Sequence, residues 1–212
     1  MAGAYFRAMT GAFSMRFVLC TIWIFSVGAG IAMVLNYQTA SGSSGITPEH
    51  WPAETQIPLD SKRDTLIMFA HPQCPCTRAS VEELNRLLAK CDSRIAAHVL
   101  FSRPENSPAD WTQTSLRQSV AAIPGVTVQD DFNNAIAQKF GAETSGFVLL
   151  FNPQGQMLFK GGITGSRGHA GDNAGEEAII TLVNGKTSTI KQTPVFGCSL
   201  FNKDCTTNNL LK

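Results

Sequence analysis

The stretch "TLIMFAHPQCPCTRASVEELNRLLAKC", residues 65–91, carries the pattern that decides the fold. Its first six residues, 65–70, form a continuous apolar run with β-branched and aromatic members, which is typical of a buried strand. Cys74 and Cys76 follow, with one residue between them. Residues 80–91 then place apolar side chains at helical spacing, with charged side chains opposite. The order of strand, cysteines and helix predicts a βα unit with two thiols where the helix starts.

The rest of the globular part continues this alternation. The turn signal "NPQG" lies between two apolar runs and predicts a hairpin over 147–161. The other predicted elements are strands at 95–101 and 125–129 and helices at 109–123, 130–141 and 173–183. Strands that alternate with helices and end in a hairpin predict an α/β fold, a mixed sheet with helices on both faces.

Residues 17–35, "FVLCTIWIFSVGAGIAMVL", contain no charged side chain and are long enough to cross a hydrocarbon core of about 30 Å as a helix. Arg7 and Arg16 precede this run, and no Lys or Arg follows before Lys62. The positive-inside rule therefore predicts that residues 1–16 are cytoplasmic and that the rest is extracytoplasmic, or periplasmic in a bacterium. A cleaved signal peptide is the alternative, although the run exceeds the usual apolar region of about 7–15 residues.

The chain after the apolar run divides into three parts. Residues 36–56 are rich in Ser, Gly, Thr and Pro and predict a flexible linker. Residues 57–190 have the size of one globular domain. The tail, 191–212, contains Cys198 and Cys205, which either bond to each other or leave Cys198 to reach the first cysteine pair. The apolar "VFGCSLF" in this tail indicates a segment that docks on the domain.

The composition directs attention to the cysteines. There are 17 Lys and Arg against 16 Asp and Glu, so bulk charge gives no indication of nucleic-acid binding. The chain has six cysteines, of which Cys20 lies inside the apolar run. In an extracytoplasmic domain the other five meet oxidising conditions, where disulfides persist. Thiol chemistry is therefore favoured.

The order of elements over about residues 60–185 resembles the thioredoxin superfamily, especially its membrane-tethered extracytoplasmic members and its peroxiredoxin-like branch. More narrowly, "HPQCPCTRAS" together with "GGITGSRGHAGDNAG" resembles the RedB-like group of thioredoxin-fold proteins. The resemblance implies a thioredoxin-like fold and a redox-active cysteine motif. Two positions depart from the usual pattern: only Pro75 separates the cysteines, and Gly146 stands where the superfamily has its cis-proline.

The cysteine motif predicts a reactive thiolate. Pro75 is suited to the first turn of a helix, which would make Cys74 the N-cap and place Cys76 at the second helical position. Backbone N–H groups, the helix dipole and Arg78 would then stabilise a Cys74 thiolate. We predict a membrane-tethered thiol–disulfide oxidoreductase or isomerase without a cofactor, in which Cys74 attacks protein thiols or disulfides and Cys76 resolves the mixed disulfide. His71 is a supporting residue.

Two other functions stay open from the sequence. Two neighbouring thiolates form a soft site that suits Cu(I), and His169 is a candidate third ligand beside Cys74 and Cys76, with His71 also close in sequence. The copper would serve assembly of a metalloprotein or oxidase. The other alternative is a tethered binding module without catalysis.

The glycine-rich loop "GGITGSRGHAGDNAG", residues 161–175, has two interpretations. Backbone N–H groups at the start of the following helix would suit an anion, and Arg167 or His169 would suit partner or metal recognition. Alternatively it is a tight loop in which Asp172 or Asn173 caps that helix. It lacks the G-K-[ST] ending of a P-loop, which argues against nucleotide binding.

Overall fold

The structure, a computed structural model, describes the backbone of residues 2–201 and the side chains of residues 15–201. The chain divides into two compact units, Met1–Thr39 and Ala40–Lys212. The first unit is the single helix α1, Ala2–Thr39. Within it, Met15–Thr39 is long and apolar enough to cross a membrane, a property that signal sequences near an N-terminus share. The predicted span at 17–35 lies inside this helix.

The second unit contains a five-stranded mixed sheet. Its strands are β1 (Asp64–Ala70), β2 (Ile95–Arg103), β3 (Val126–Phe132), β4 (Phe147–Phe151) and β5 (Met157–Gly161). Its helices are α2 (Thr77–Lys90), α3 (Ser115–Ala121), α4 (Ala135–Lys139) and α5 (Ala174–Val183). The strand order is β3-β2-β1-β4-β5. β2 is parallel to both β1 and β3, whereas β4 is antiparallel to β1 and β5. The predicted hairpin is the β4–β5 pair.

The two faces of the sheet bury separate apolar clusters, because successive side chains of a strand point to opposite faces. On β1, Leu66 and Met68 belong to the cluster covered by α2, α3 and α5. Ile67 and Phe69 belong to the other cluster, which is covered by α4 and by segments from both ends of the unit. Helices on both faces were predicted, and this prediction is confirmed.

Two predicted helices are shorter than expected. Residues 130–132 extend β3, and the helix predicted at 130–141 is only α4. The side chain of Asp131 is buried and accepts hydrogen bonds from the N–H groups of Ile136 at 2.9 Å and Ala137 at 2.8 Å. The acidic residue therefore caps α4 from the strand rather than starting the helix itself. The helix predicted at 109–123 is reduced to α3, which begins after Thr114 as its N-cap.

The segment predicted as a flexible linker, 36–56, is largely docked. α1 continues to Thr39, and residues 40–56 belong to the second unit. Gly42 donates its N–H to the carbonyl of Val195 at 2.8 Å, and the Glu49 carbonyl accepts from the N–H of Met157 at 2.8 Å. A side chain at position 42 would collide with Thr144, so glycine permits this close approach. The small residues of the segment serve packing rather than flexibility.

Candidate functional site

Cys74 and Cys76 lie in a tight turn between the end of β1 and the start of α2. The helix begins at Thr77, with Cys76 as its N-cap in helical conformation, so the prediction of Cys74 as the N-cap is wrong. The N–H of Thr77 bonds to the Cys74 carbonyl, and the N–H of Arg78 bonds to the Pro75 carbonyl, both at 3.3 Å. These hydrogen bonds join residues three apart, so one turn of the 3₁₀ type precedes the α-helix.

Cys74 is a buried thiol surrounded by hydrogen-bond donors. The residue is 2% exposed. The Cys198 thiol, followed by the Thr77 hydroxyl and the N–H groups of both residues, donates to the Cys74 sulfur and lowers its pKa to about 4, although burial opposes this change. These donors favour the thiolate form of Cys74, and side chains contribute more to it than the end of the helix.

A chain of hydrogen bonds orients the Thr77 hydroxyl. The backbone N–H of His71 donates to Ser145 Oγ at 2.7 Å, and Ser145 Oγ lies 2.6 Å from Thr77 Oγ1. Because the Thr77 proton is directed to the Cys74 sulfur, Ser145 has to donate to Thr77. Each group in such a chain polarises the next, which strengthens the last bond to the thiolate.

Cys76 has the opposite electrostatic character. Burial, and then the negative charge of Cys74, raise the pKa of Cys76, whereas Arg167 acts against them through its charge and a hydrogen bond. Cys76 therefore stays a thiol beside a thiolate. This asymmetry makes Cys74 the better nucleophile of the two.

The loop that carries Arg167 is tied to both the tail and α2. Arg167 donates to the carbonyl of Gly197 at 2.7 Å and to that of Ala40 at 3.2 Å. Further along the loop, the buried carboxylate of Glu83 accepts from the N–H of Gly171 at 2.8 Å. Asn173 caps α5 by accepting from the N–H of Glu176 at 2.9 Å, one of the two predicted capping choices. Arg167 therefore lies at the site and its loop is held in place, while its role in partner recognition stays a prediction.

His71 lies beside the site as a buried ring. Its Nδ1 accepts from the N–H of Gln73 at 3.2 Å, and the ring packs edge-on against Trp111 at 5.9 Å between centroids. Burial lowers the pKa of His71, while the charge of Cys74 opposes that change. The ring is therefore neutral at physiological pH, and its backbone N–H supports the Ser145 hydroxyl.

Three other predicted residues have different positions. Arg78 donates to Ser115 on α3 at 3.0 Å, so Arg167 and not Arg78 is the arginine at the cysteines. His169 is exposed, and its Nδ1 lies 3.0 Å from the Arg167 carbonyl. Gly146 precedes β4 with a φ of 88°, donates to the Phe69 carbonyl at 2.7 Å and thereby fixes Ser145 beside Thr77.

Among the described residues, His169 is not grouped with Cys74 and Cys76, and the copper alternative stays a prediction. Across residues 15–201, no group of three or more His, Cys, Asp or Glu side chains is arranged to hold a metal ion. Cys74 and Cys76 are near each other, but His169 does not complete a cluster with them.

The tail brings a third thiol to the site. Val195, Phe196 and Leu200 are buried, so the tail docks as predicted. The Cys198 carbonyl accepts from the N–H of Ser145 at 2.8 Å, and the Cys198 thiol reaches Cys74. Cys205 lies outside the described residues, so its pairing with Cys198 stays a prediction.

Sequence reasoning missed Thr77 and Ser145. Thr77 stands three residues after Cys74, at the spacing where a helical turn places side chains side by side, and this signal was available. Ser145 is 71 positions from Cys74 and gave no local signal. Only the pairing of β1 with β4 brings it to the cysteines.

Comparison with known proteins places the fold. No protein-family model and no curated protein matches the chain. An uncharacterized conserved protein from Geobacillus kaustophilus is 18% identical, with coverage of 76% of this chain and 91% of that one, at a TM-score of 0.56. A hypothetical protein from Sinorhizobium meliloti is 17% identical, with coverage of 77% and 96%, at 0.55.

A third solved structure is more distant. It is a secreted disulfide oxidoreductase from Mycobacterium tuberculosis, 13% identical, with coverage of 60% of this chain and 84% of that one, at a TM-score of 0.42. At these identities the likeness concerns the fold alone. The fold is thioredoxin-like, as the sequence predicted.

Proposed function

We propose that this protein is a membrane-tethered extracytoplasmic thiol–disulfide oxidoreductase that uses Cys74 as its nucleophile. The observation that carries the proposal is the Cys74 sulfur, buried yet held as a thiolate by hydroxyl, thiol and backbone donors. The thiolate is the reactive form in disulfide exchange. Membership of the RedB-like group is part of the same proposal.

The exchange begins with attack of the Cys74 thiolate on one sulfur of a protein disulfide. The S–S bond of the substrate breaks, its second sulfur leaves as a thiolate, and a mixed disulfide joins Cys74 to the substrate. A second thiol of this protein then has to attack the Cys74 sulfur. Cys76 and Cys198 both lie beside it.

The membrane location rests on α1 and on the charges around it. Met15–Thr39 has the length and hydropathy of a span. Arg7 and Arg16 precede it, which favours a cytoplasmic N-terminus and an extracytoplasmic domain. The substrates would be protein thiols or disulfides on that side of the membrane.

The test uses the full chain in detergent micelles, reduced and then mixed with oxidised glutathione. The unchanged chain should form a transient adduct with glutathione, detected by mass spectrometry, and Cys74→Ser should form none. Cys20→Ser is the matched control, because Cys20 is exposed on α1 and outside the second unit. Equal adduct formation by Cys74→Ser and the control would contradict the proposal.

The same preparation separates redox chemistry from the copper alternative. The reduced chain is titrated with Cu(I) against a competing chelator. Stoichiometric binding that is lost in His169→Ala, together with no glutathione adduct, would favour metal delivery instead. We expect His169→Ala to leave the adduct unchanged, because His169 is exposed and its Nδ1 lies 3.0 Å from the carbonyl of Arg167 in the same loop.

A further inference from the structure

We infer that Cys198, on the docked tail, is the resolving cysteine, and that the disulfide formed at the end of the exchange joins Cys74 to Cys198. The inference rests on the proposed function. The inference assigns the resolving step to a segment beyond the last helix. Cys198 then takes the resolving role that the sequence predicted for Cys76.

The tail is anchored on both sides of Cys198. The Cys198 carbonyl accepts from the N–H of Ser145 at 2.8 Å, and the Gly197 carbonyl accepts from Arg167 at 2.7 Å. Beyond it, the N–H of Leu200 donates to the Glu143 carbonyl at 2.8 Å. These bonds hold the Cys198 side chain in a fixed position rather than at a frayed end.

Position 197 admits no side chain. A Cβ atom there would collide with the carbonyl oxygen of Ser145. Ser145 is also the residue whose hydroxyl lies 2.6 Å from Thr77 Oγ1 and so orients the donor to Cys74. The same residue therefore positions the thiolate through its side chain and the tail through its backbone.

The Cys198 thiol contacts the Cys74 sulfur directly. It is the first cause of the low pKa of Cys74, ahead of the Thr77 hydroxyl. A thiol that donates to a thiolate already has its sulfur within reach of the other sulfur. After Cys74 binds a substrate, Cys198 has only to lose its proton to become the attacking group.

Cys76 is less suited to close a disulfide with Cys74. Cys76 also contacts Cys74 through a side-chain hydrogen bond, but it belongs to the same turn, with φ −66° and ψ −28°. Bridging the pair would distort the turn that bonds Thr77 to the Cys74 carbonyl and Arg78 to the Pro75 carbonyl. Cys198 belongs to a separate segment, so its disulfide leaves the start of α2 intact.

The resolving step balances without another reactant. The Cys198 sulfur attacks the Cys74 sulfur, the mixed disulfide breaks, and the substrate sulfur leaves with the proton given up by Cys198. Two electrons pass from the Cys74 and Cys198 thiols to the substrate disulfide. The products are a reduced substrate and an intramolecular Cys74–Cys198 disulfide.

The experiment follows the glutathione adduct in the full chain in detergent. Cys198→Ser should accumulate the adduct and resolve it at least about tenfold more slowly than the unchanged chain. Cys76→Ser should still resolve it and yield a Cys74–Cys198 disulfide in peptide mapping. Cys20→Ser again serves as the control for loss of a thiol. Mapping of Cys74–Cys76 or of Cys198–Cys205 as the main product would overturn the inference.

A second pair of variants separates loss of the resolving thiol from loss of the hydrogen bond that Cys198 donates to Cys74. Serine at position 198 keeps a hydrogen-bond donor, whereas Cys198→Ala removes it. Both variants should lose resolution, but only Cys198→Ala should clearly raise the pKa of Cys74, measured by thiolate absorbance near 240 nm. Normal resolution in both variants would also overturn the inference.

Failure of the proposed function gives a different result. If glutathione forms no adduct with the unchanged chain, the proposed function fails. The inference is then examined by oxidation of the same chain with diamide, which needs no substrate. Absence of a Cys74–Cys198 disulfide after diamide would overturn the inference, and its formation would keep the pairing while excluding glutathione-type substrates.

Discussion

Burial and charge act against each other at the Cys74 sulfur. A buried thiol normally has a raised pKa, because the charged form loses its hydration. Here donors from Cys198 and Thr77 outweigh that loss and lower the pKa of Cys74 to about 4. The site thus favours a negative charge on a buried sulfur, and the reactivity of Cys74 depends on the hydrogen bonds from Cys198 and Thr77.

Replacement of the Thr77 hydroxyl tests these bonds one at a time. Thr77→Val keeps the shape but removes the donor to Cys74 and the partner of Ser145. We expect the pKa of Cys74 to rise, so that its alkylation by iodoacetamide begins to slow at a higher pH than in the unchanged chain. Thr181→Val on α5 is the matched control. An unchanged pH profile of alkylation in Thr77→Val would show that the hydroxyl is not a donor to the thiolate.

The same lowered pKa fixes the response to acid. Because Cys74 releases its proton more readily in the folded chain than in the unfolded one, its contribution to stability is present at high pH. This contribution is lost as the pH falls towards about 4, the pKa of the folded state. We expect alkylation of Cys74 to stay nearly constant from about pH 8 to pH 5.5 and to fall below that. A rate that falls tenfold for each pH unit below 8 would indicate an ordinary thiol.

At the scale of elements, the site joins four segments that are far apart in sequence. The turn before α2 supplies Cys74, and the segment before β4 supplies Ser145. The glycine-rich loop supplies Arg167, and the tail supplies Cys198. The mixed sheet brings the first two together through the antiparallel pairing of β1 with β4. The tail is therefore part of the site rather than an appendage to the domain.

Gly197→Ala tests the docking of the tail. A methyl group at this position collides with the Ser145 carbonyl, so the segment has to move away from the cysteine turn. We expect a higher pKa for Cys74 and slower formation of the Cys74–Cys198 disulfide under diamide. Gly165→Ala is the control, because a Cβ there meets no atom within 4 Å. Identical behaviour of the two variants would mean that the close approach at Gly197 has no influence on the thiols.

The sequence predicted those parts of the fold that local patterns determine. The apolar run of β1, the hairpin signal "NPQG" and the periodicity of α2 and α5 all correspond to observed elements. The prediction was wrong where tertiary pairing overrides local preference. Asp130 and Asp131 look like a helix start, yet they pair with Phe101 and Ser102 of β2 and extend β3.

The candidate site shows the same division. Cys74 and Cys76 are one residue apart in sequence and were recognised from this spacing alone. Ser145 and the contact of Cys198 with Cys74 depend on where distant segments meet, which spacing does not encode. Arg78 is the opposite case. Its position one turn after the cysteines predicted a positive charge beside Cys74, but its side chain donates to Ser115 instead.

At the scale of the whole molecule, the proposed orientation of α1 in the membrane would decide which proteins the thiols meet. Arg7 and Arg16 lie on the N-terminal side of the apolar stretch. We expect the second unit to be digested by external protease in bacterial spheroplasts that express the full chain, because the positive-inside rule places it outside. A cytoplasmic protein serves as the control for lysis. Protection of the second unit until detergent is added would place it in the cytoplasm.

The tail crosses from one anchor to another over a fixed number of residues. Thr193 is held at β5, where its N–H donates to the Lys160 carbonyl at 3.2 Å and its hydroxyl to the Gly162 carbonyl at 2.7 Å. Gly197 is held at Ser145. One extra residue between these anchors would lengthen the segment by up to about 3.3–3.6 Å and shift Cys198 relative to Cys74. The number of residues between the two anchors therefore matters, and we expect an insertion there to separate the two thiols although it replaces no cysteine.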